Sequence, residues 1–388
     1  MKNYYVISNG RIRRDQNTIF IDQESTGLKK PIPVEDVDSL YVFGEVDLNT
    51  KLLNFLTQKR IVLHVFNYYG YYSGTYYPRE YLHSGYMLVQ QVAHYSDGAR
   101  RLAIAKETVR AAAHSMLKNV GYYVRRTPGS ALDVEPAGEI GAKDVNSGVP
   151  TDVDVETAVD SAIEIESLTD SRGQDIDTGP AATDDGGLNA IQATITRLAS
   201  SIDSQTSIND LMGVEGKMRE RYYEAWGSIL RGDWEFERRV RRPPDNEVNA
   251  LISFGNSILY TVCTSEIYRT QLTPTISYLH EPGERRFSLA LDISELFKPL
   301  IVDRAIFRLL NTRQLTEAHF DRSLDGCVLN EAGKRLYLAA LEERLASTIR
   351  HRRLGRHVSY RHLIRLECYK LIRHLTGIEP YRAFRAWW

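Results

Sequence analysis

Through the first 80 residues, apolar and polar positions alternate or gather in short β-branched and aromatic runs, the pattern of strands. YYVIS ends in Asn9-Gly10, a dipeptide that accepts positive φ at both central positions of a tight turn. RIRRDQNTIFID follows, with apolar Ile12, Ile19 and Ile21. The spacing predicts a hairpin turning at Asn9-Gly10. SLYVFGEV and RIVLHVFNYYGYYSGTYY supply further strands, and NTKLLNFLTQKR between them predicts one short helix with Leu52, Leu53 and Leu56 inward.

From Leu82 the period changes. Met87, Val92, Leu102, Ile104, Val109 and Leu117 recur among strong helix formers, which predicts long helices after the sheet region. Helical spacing resumes near Leu188 and continues in separate segments. The expected fold is therefore α+β: a small β-rich domain over residues 1–81, then a larger all-helical domain over 82–388. The Tyr-rich stretch from Tyr68 to Tyr81 could stack on bases, but aromatic rings in strands more often form the core and contacts of a sheet.

Residues 127–187 break the helical pattern. They contain no aromatic residue and hold 15 acidic residues against 2 basic ones, the composition of a self-repelling disordered insertion. This segment changes the meaning of the net charge of −1. Outside it, 47 of the 49 basic residues face 35 of the 50 acidic ones, so the remaining body is basic and suited to a polyphosphate partner. Residues 350–388 alone carry ten Arg and Lys against two Glu.

No apolar run approaches the roughly 18 residues that span a bilayer, and the N-terminal segment turns polar too early for a signal peptide. A cytoplasmic protein with no membrane association is expected. Cys263, Cys327 and Cys368 are odd in number and widely spaced, which points to buried thiols rather than disulfides or a zinc site.

Candidate chemistry gathers where charged side chains interrupt apolar helical patterning. Glu215 falls on the stripe of Leu211, Met218, Tyr222, Ala225 and Ile229, where an ionised carboxylate needs a cation or a hydrogen-bond partner. A metal ion and a salt bridge to an arginine both answer that need. Asp292 and Glu295 lie three apart in LALDISELFKPL and share a helix face, where two like charges call for a positive charge between them. Pro299 leaves the carbonyl of Glu295 without its helical donor, so the helix should kink or restart there. His280 precedes the turn Glu281-Pro282-Gly283. An imidazole with two or three carboxylates suits Mg²⁺ or Mn²⁺. In RRPPDNEVNALISFGNSILY, Asp245 or Asn246 can cap a helix that buries Ala250, Phe254, Ile258 and Leu259.

That block, preceded by the VEG helix bearing Glu215 and followed by LHEPGERRFSLALDISELFKPLIVDR, resembles the CRISPR-associated integrase that inserts new spacers, the first-numbered universal protein of CRISPR adaptation. The likeness covers nearly the whole chain, including LHSGYMLVQQ and ARRLAIAKETV. It implies a metal-dependent endonuclease and integrase that joins 3′-hydroxyl ends of captured DNA to the CRISPR repeat by transesterification. It carries the metal ligands onto Glu215, His280 and Glu295, with Asp292 supporting the site or sharing the ion. It places Lys298, with Arg285 or Arg286, near the cleaved phosphate. The partners it implies are double-stranded DNA, a second copy of the chain joined partly through the β domains, a bridging dimer of the second CRISPR adaptation protein, and a RecB-like CRISPR nuclease. The acidic insertion departs from the family's pattern. A DNA-binding scaffold with purely structural carboxylates is the alternative.

Overall fold

The computed structural model describes residues 2–24, 27–67, 69–126, 185–241, 243–283, 287–323 and 326–387. Arg285, Arg286 and residues 127–184, and with them the reading of that segment as disordered, lie outside these residues. Asp185 to Gly187, expected to close the insertion, instead open a helix.

The strands of the N-terminal part are β1 (Lys2–Val6), β2 (Gly10–Asp15), β3 (Thr18–Gln23), β4 (Lys29–Pro33), β5 (Val37–Val42), β6 (Val46–Asp47), β7 (Val62–Phe66) and β8 (Tyr72–Tyr76). They form two four-stranded sheets, ordered β1-β5-β7-β8 and β4-β3-β2-β6. In the first, β1, β5 and β7 run parallel and β8 antiparallel. Asn9-Gly10 is therefore not a hairpin turn, because β1 and β2 belong to different sheets. The hairpin is β2–β3, turning at Gln16-Asn17 with Gln16 at φ 50°. Gly10 is needed for close approach: a Cβ there would sit 2.2 Å from the Asp22 carbonyl oxygen.

Alternation along the first sheet has two destinations. Tyr4, Val6, Leu40 and Val42 pack with Ile12, Ile19, Ile21 and helix α1 (Thr50–Lys59) in one core. Tyr5, Tyr41, Phe43 and Phe66 enter the second core, with the helices of the larger part. A sheet covered on both faces explains why all six residues of β5 are buried. In α1, Asn49 accepts from Leu52 N at 3.0 Å, and Leu52, Phe55 and Leu56 are buried while Leu53 is half-buried.

The larger part contains α2 (Gly85–Ser96), α3 (Gly98–Val124), α4 (Asp185–Ser200), α5 (Ile208–Glu224), α6 (Glu247–Tyr268), α7 (Ser288–Lys298), α8 (Arg304–Asn311), α9 (Glu331–Ala346) and α10 (Tyr360–Leu375). It is mostly rather than wholly helical, because two short antiparallel hairpins interrupt it: β9 (Phe320–Ser323) with β10 (Gly326–Leu329), and β11 (Thr348–Arg350) with β12 (His357–Ser359). The α+β class holds. On α2, Met87 is buried and Val92 is exposed.

Helix α6 joins the two parts. Its Phe254 ring lies 5.6 Å from Phe43 of the first sheet, and Tyr260 and Tyr268 make edge contacts with Tyr72 and Tyr77 at 5.1 and 4.8 Å. These tyrosines of the aromatic run thus serve sheet-to-helix packing. Polar contacts reinforce the junction. His64 Nε2 meets Ser265 Oγ at 2.8 Å, and Arg361 bridges Asp38 and Glu342, which also accepts from Tyr5 and Asn3. Behind α7, the Phe384 ring stacks on Phe297 at 5.8 Å. All three cysteines are buried and unpaired. Among the described residues, no helix is long and apolar enough to cross a membrane.

Candidate active site

Three elements supply the charged side chains: α5, residues 278–280, and α7, which packs against α3 and α6. Helix α5 starts at Ser207, whose hydroxyl accepts from Asp210 N at 3.1 Å, and buries Leu211, Met218 and Tyr222. Glu215 therefore sits at the edge of the buried stripe, with a side chain 20% exposed. One turn further, Arg219 reaches back to it, its Nε donating to Glu215 Oε1 at 2.8 Å. The other arm of the guanidinium, Nη2, donates to Glu295 Oε2 on α7. Two carboxylates 80 residues apart thus converge on one cation.

Helix α7 carries the acidic pair, but the two residues have different work. Glu295 is buried and receives Arg219 and Lys298 on its two oxygens. Burial alone would raise its pKa, yet the positive charges of Arg219, Lys298 and His280 outweigh burial and hold it well below the usual carboxylate range. Asp292 faces the loop before α7. Its Oδ2 accepts from Tyr278 N at 2.7 Å and Leu279 N at 2.9 Å, and its Oδ1 from His280 N at 3.0 Å. The His280 ring also bonds Oδ1 through Nδ1 at 2.8 Å. With a hydrogen on Nδ1, the lone pair falls on Nε2, the nitrogen free to ligate. Asp292 has no oxygen left over.

His280 is pulled toward a lower pKa by burial, but the Asp292 hydrogen bond and the charges of Asp292 and Glu295 prevail, so its pKa is raised. The helix changes pitch directly after Lys298. Pro299–Asp303 forms a single π-helical turn before α8, and Asn119 of α3 donates to the Pro299 carbonyl at 2.8 Å. Asp303 closes this turn. Buried, it accepts from Tyr222 at 2.9 Å, and burial raises its pKa to about 7.

The entry to α6 is fastened by Asn249. It accepts from Val240 N at 3.1 Å and Arg239 Nη1 at 2.9 Å, and donates to Arg238 O at 3.0 Å and Asp245 Oδ1 at 2.7 Å. Asn246 is the cap, accepting from Asn249 N at 2.9 Å. Of the sequence candidates, the structure brings Glu215, Glu295 and Lys298 into one ion-pair network and joins His280 to Asp292. Arg285 and Arg286 lie outside the described residues. Sequence reasoning missed Arg219 and Asp303. Arg219 is legible as an arginine four residues after Glu215 on the same helix face.

Oxygen, imidazole and oxygen donors are a set that suits Mg²⁺ or Mn²⁺. As the side chains stand, no group of three or more His, Cys, Asp or Glu among the described residues forms a ready cage. The guanidinium of Arg219 occupies the carboxylate oxygens such an ion would use. The donors fit a divalent ion in type, with a resident cation already between two of them.

The family model described as CRISPR associated protein Cas1 matches residues 4–146 and 178–343. A protein of Thermodesulfovibrio yellowstonii named CRISPR-associated endonuclease Cas1 3 is 42% identical over 388 residues, covering the whole of both chains. Among solved structures, a CAS1 protein from Thermotoga maritima superposes with a TM-score of 0.76 at 37% identity, again over the full length of both. A casposase bound to integration product gives 0.74 at 18% identity, covering 98% of this chain and 92% of that one, a likeness of fold.

Proposed function

This chain belongs to the Cas1 family of CRISPR associated proteins, and from that premise we propose that it is a divalent-metal-dependent DNA endonuclease and integrase of CRISPR adaptation. It joins the 3′-hydroxyl of a captured DNA fragment to the boundary of a CRISPR repeat. The relatives named as endonucleases support the reaction class. The observation that carries the reading is the meeting of Glu215 and Glu295 on one cation, beside an imidazole held by Asp292.

The reaction exchanges one phosphodiester for another. The attacking 3′ oxygen bonds to phosphorus as the bond from phosphorus to the 3′ oxygen of the repeat strand breaks, and the proton lost by the first is balanced by one gained by the second. Glu215, His280 and Glu295 would hold Mg²⁺ or Mn²⁺, which when bound polarises the phosphate and stabilises charge on the attacking or departing oxygen. Asp292 fixes the ring and tautomer of His280 and is a positioning residue rather than a ligand, since its hydrogen bonds leave no oxygen over. Lys298, with Arg285 or Arg286, neutralises phosphates near the cleaved bond. The basic body steers the duplex.

The working assembly in this reading is cytoplasmic: a homodimer joined partly through the β sheets, two such dimers bridged by a dimer of the second CRISPR adaptation protein, and a RecB-like nuclease as a further partner. The competing reading is a DNA-binding scaffold whose carboxylates only tie helices together, and the Arg219 bridge is what favours it. A strand-transfer assay separates them, using a supercoiled plasmid carrying the repeat, a short duplex with 3′-hydroxyl ends and Mn²⁺. The wild-type chain should transfer strands, and Glu215→Gln and His280→Ala should not while remaining folded. Undiminished transfer by either variant rejects the enzyme reading.

A further inference from the structure

Arg219 has no part in the chemistry just described, yet it sits at the centre of the site. Its side chain is only 12% exposed and lies between carboxylates of two different helices. The i,i+4 contact to Glu215 belongs to α5 alone, but the contact to Glu295 crosses to α7. Two carboxylates drawn together in a low-dielectric setting repel unless a cation stands between them. In this structure the guanidinium supplies that charge. It does so through one oxygen of each carboxylate, while Lys298 takes the second oxygen of Glu295.

We infer that Arg219 is a built-in substitute for the divalent ion: it closes the site in the metal-free protein, competes with the ion for Glu215 and Glu295, and is released from both carboxylates when the ion enters. The inference rests on the metal-dependent reading above and gives it a regulatory element. Metal-free, the charges of Glu215 and Glu295 are matched by Arg219 and Lys298. Entry of a divalent ion adds two positive charges without removing the guanidinium from the neighbourhood. The site then has a positive surplus that a phosphodiester offsets, so ion and DNA each favour the binding of the other. The freed guanidinium, with its planar fork of donors, is a ready phosphate ligand.

The test measures Mn²⁺ binding by titration calorimetry on the full chain, without DNA, for the wild type, Arg219→Gln, Arg219→Lys and Glu215→Gln. Losing a charge-assisted competitor should tighten Mn²⁺ binding by about tenfold or more in Arg219→Gln. That variant should also melt below the wild type in chelator and recover a larger share of its stability with Mn²⁺. Arg219→Lys keeps the charge but not the two-armed reach, so it should bind more tightly than wild type by a smaller factor, and it decides the matter if the Gln variant does not fold. Binding that is abolished by Glu215→Gln but unchanged or weakened in the Arg219 variants overturns this inference alone. Absence of Mn²⁺ binding by the wild type and by the Arg219 variants alike overturns the metal reading and this inference together.

Discussion

The carboxylate of Asp292 holds the ring of His280 and the backbone of three consecutive residues at once, with Oδ1 receiving both the His280 N–H and the ring nitrogen. A loop and a helix thereby become one rigid unit, and the imidazole can present only one nitrogen outward.

Replacing Asp292 by Asn removes the negative charge but keeps the size. The His280 pKa, raised by that charge, should fall, and ring proton shifts followed by NMR across pH 4–9 will show it. Strand transfer should drop by about ten- to a hundredfold, as expected when a group orienting a ligand is lost. An unchanged His280 titration contradicts the role given to Asp292.

His64 predicts an acid limb that is independent of the site. Burial, with Arg269 nearby, lowers its pKa to about 3, and its two nitrogens bond Thr75 and Ser265 at 2.8 Å. A folded-state value below the unfolded value of about 6.5 means the unfolded chain binds the proton more readily. The contribution of His64 is complete above about pH 6.5 and is lost as pH falls toward 3, at a slope of up to about 1.4 kcal/mol per pH unit. Urea unfolding across this range should show that slope, and His64→Gln should flatten it.

The junction network gives a third test. Arg361 donates to Glu342 at 2.6 Å and approaches Asp38 at 3.4 Å, and Glu342 also accepts from Asn3 at 3.0 Å. Truncating Arg361 to Ala leaves Glu342 with only the neutral Asn3 and Tyr5 donors while Asp38 keeps Arg269 at 2.8 Å, and should cost about 1.5–3 kcal/mol. Paired with Glu342→Gln in a double-mutant cycle, the losses should be strongly non-additive in denaturant unfolding.

Gly255 of α6 faces the π-turn. A Cβ there would meet the Tyr337 hydroxyl at 2.2 Å and Val302 Cγ1 at 2.7 Å. Gly255→Ala should therefore destabilise by about 1–3 kcal/mol. Because Val302 lies between Lys298 and Asp303, strand transfer should fall further than the loss of folded protein accounts for. Activity normalised to folded fraction measures this.

The class of fold and the need of Glu215 for a partner were legible in the sequence for the same reason: periodicity reports what is buried. Glu215 announced itself as a charge on an apolar stripe, and Pro299 marked where α7 gives way to a π-turn. Pairing between distant segments left no such trace. Asn9-Gly10 looked like a hairpin turn because local chemistry allows one, but the parallel register of β1 with β5 sends the chain across to another sheet. Asp292 and Glu295 looked equivalent as i,i+3 neighbours, and only the position of the 278–280 backbone separates their roles. Arg219 was one of many arginines until its second partner, 76 positions away, was in place.

The contacts of Tyr5 and Asn3 with Glu342 span 337 and 339 positions. The first strand can pair with β5 early, but its Tyr5 and Asn3 gain Glu342 only once α9 has been made, and α5 and α7 lie inside the loop that this contact closes. Loop closure on this scale costs entropy before any contact repays it, which slows folding. A nascent or truncated chain lacking α9 therefore carries Glu215, His280 and Glu295 but lacks the contacts that tie β1 to the helical part.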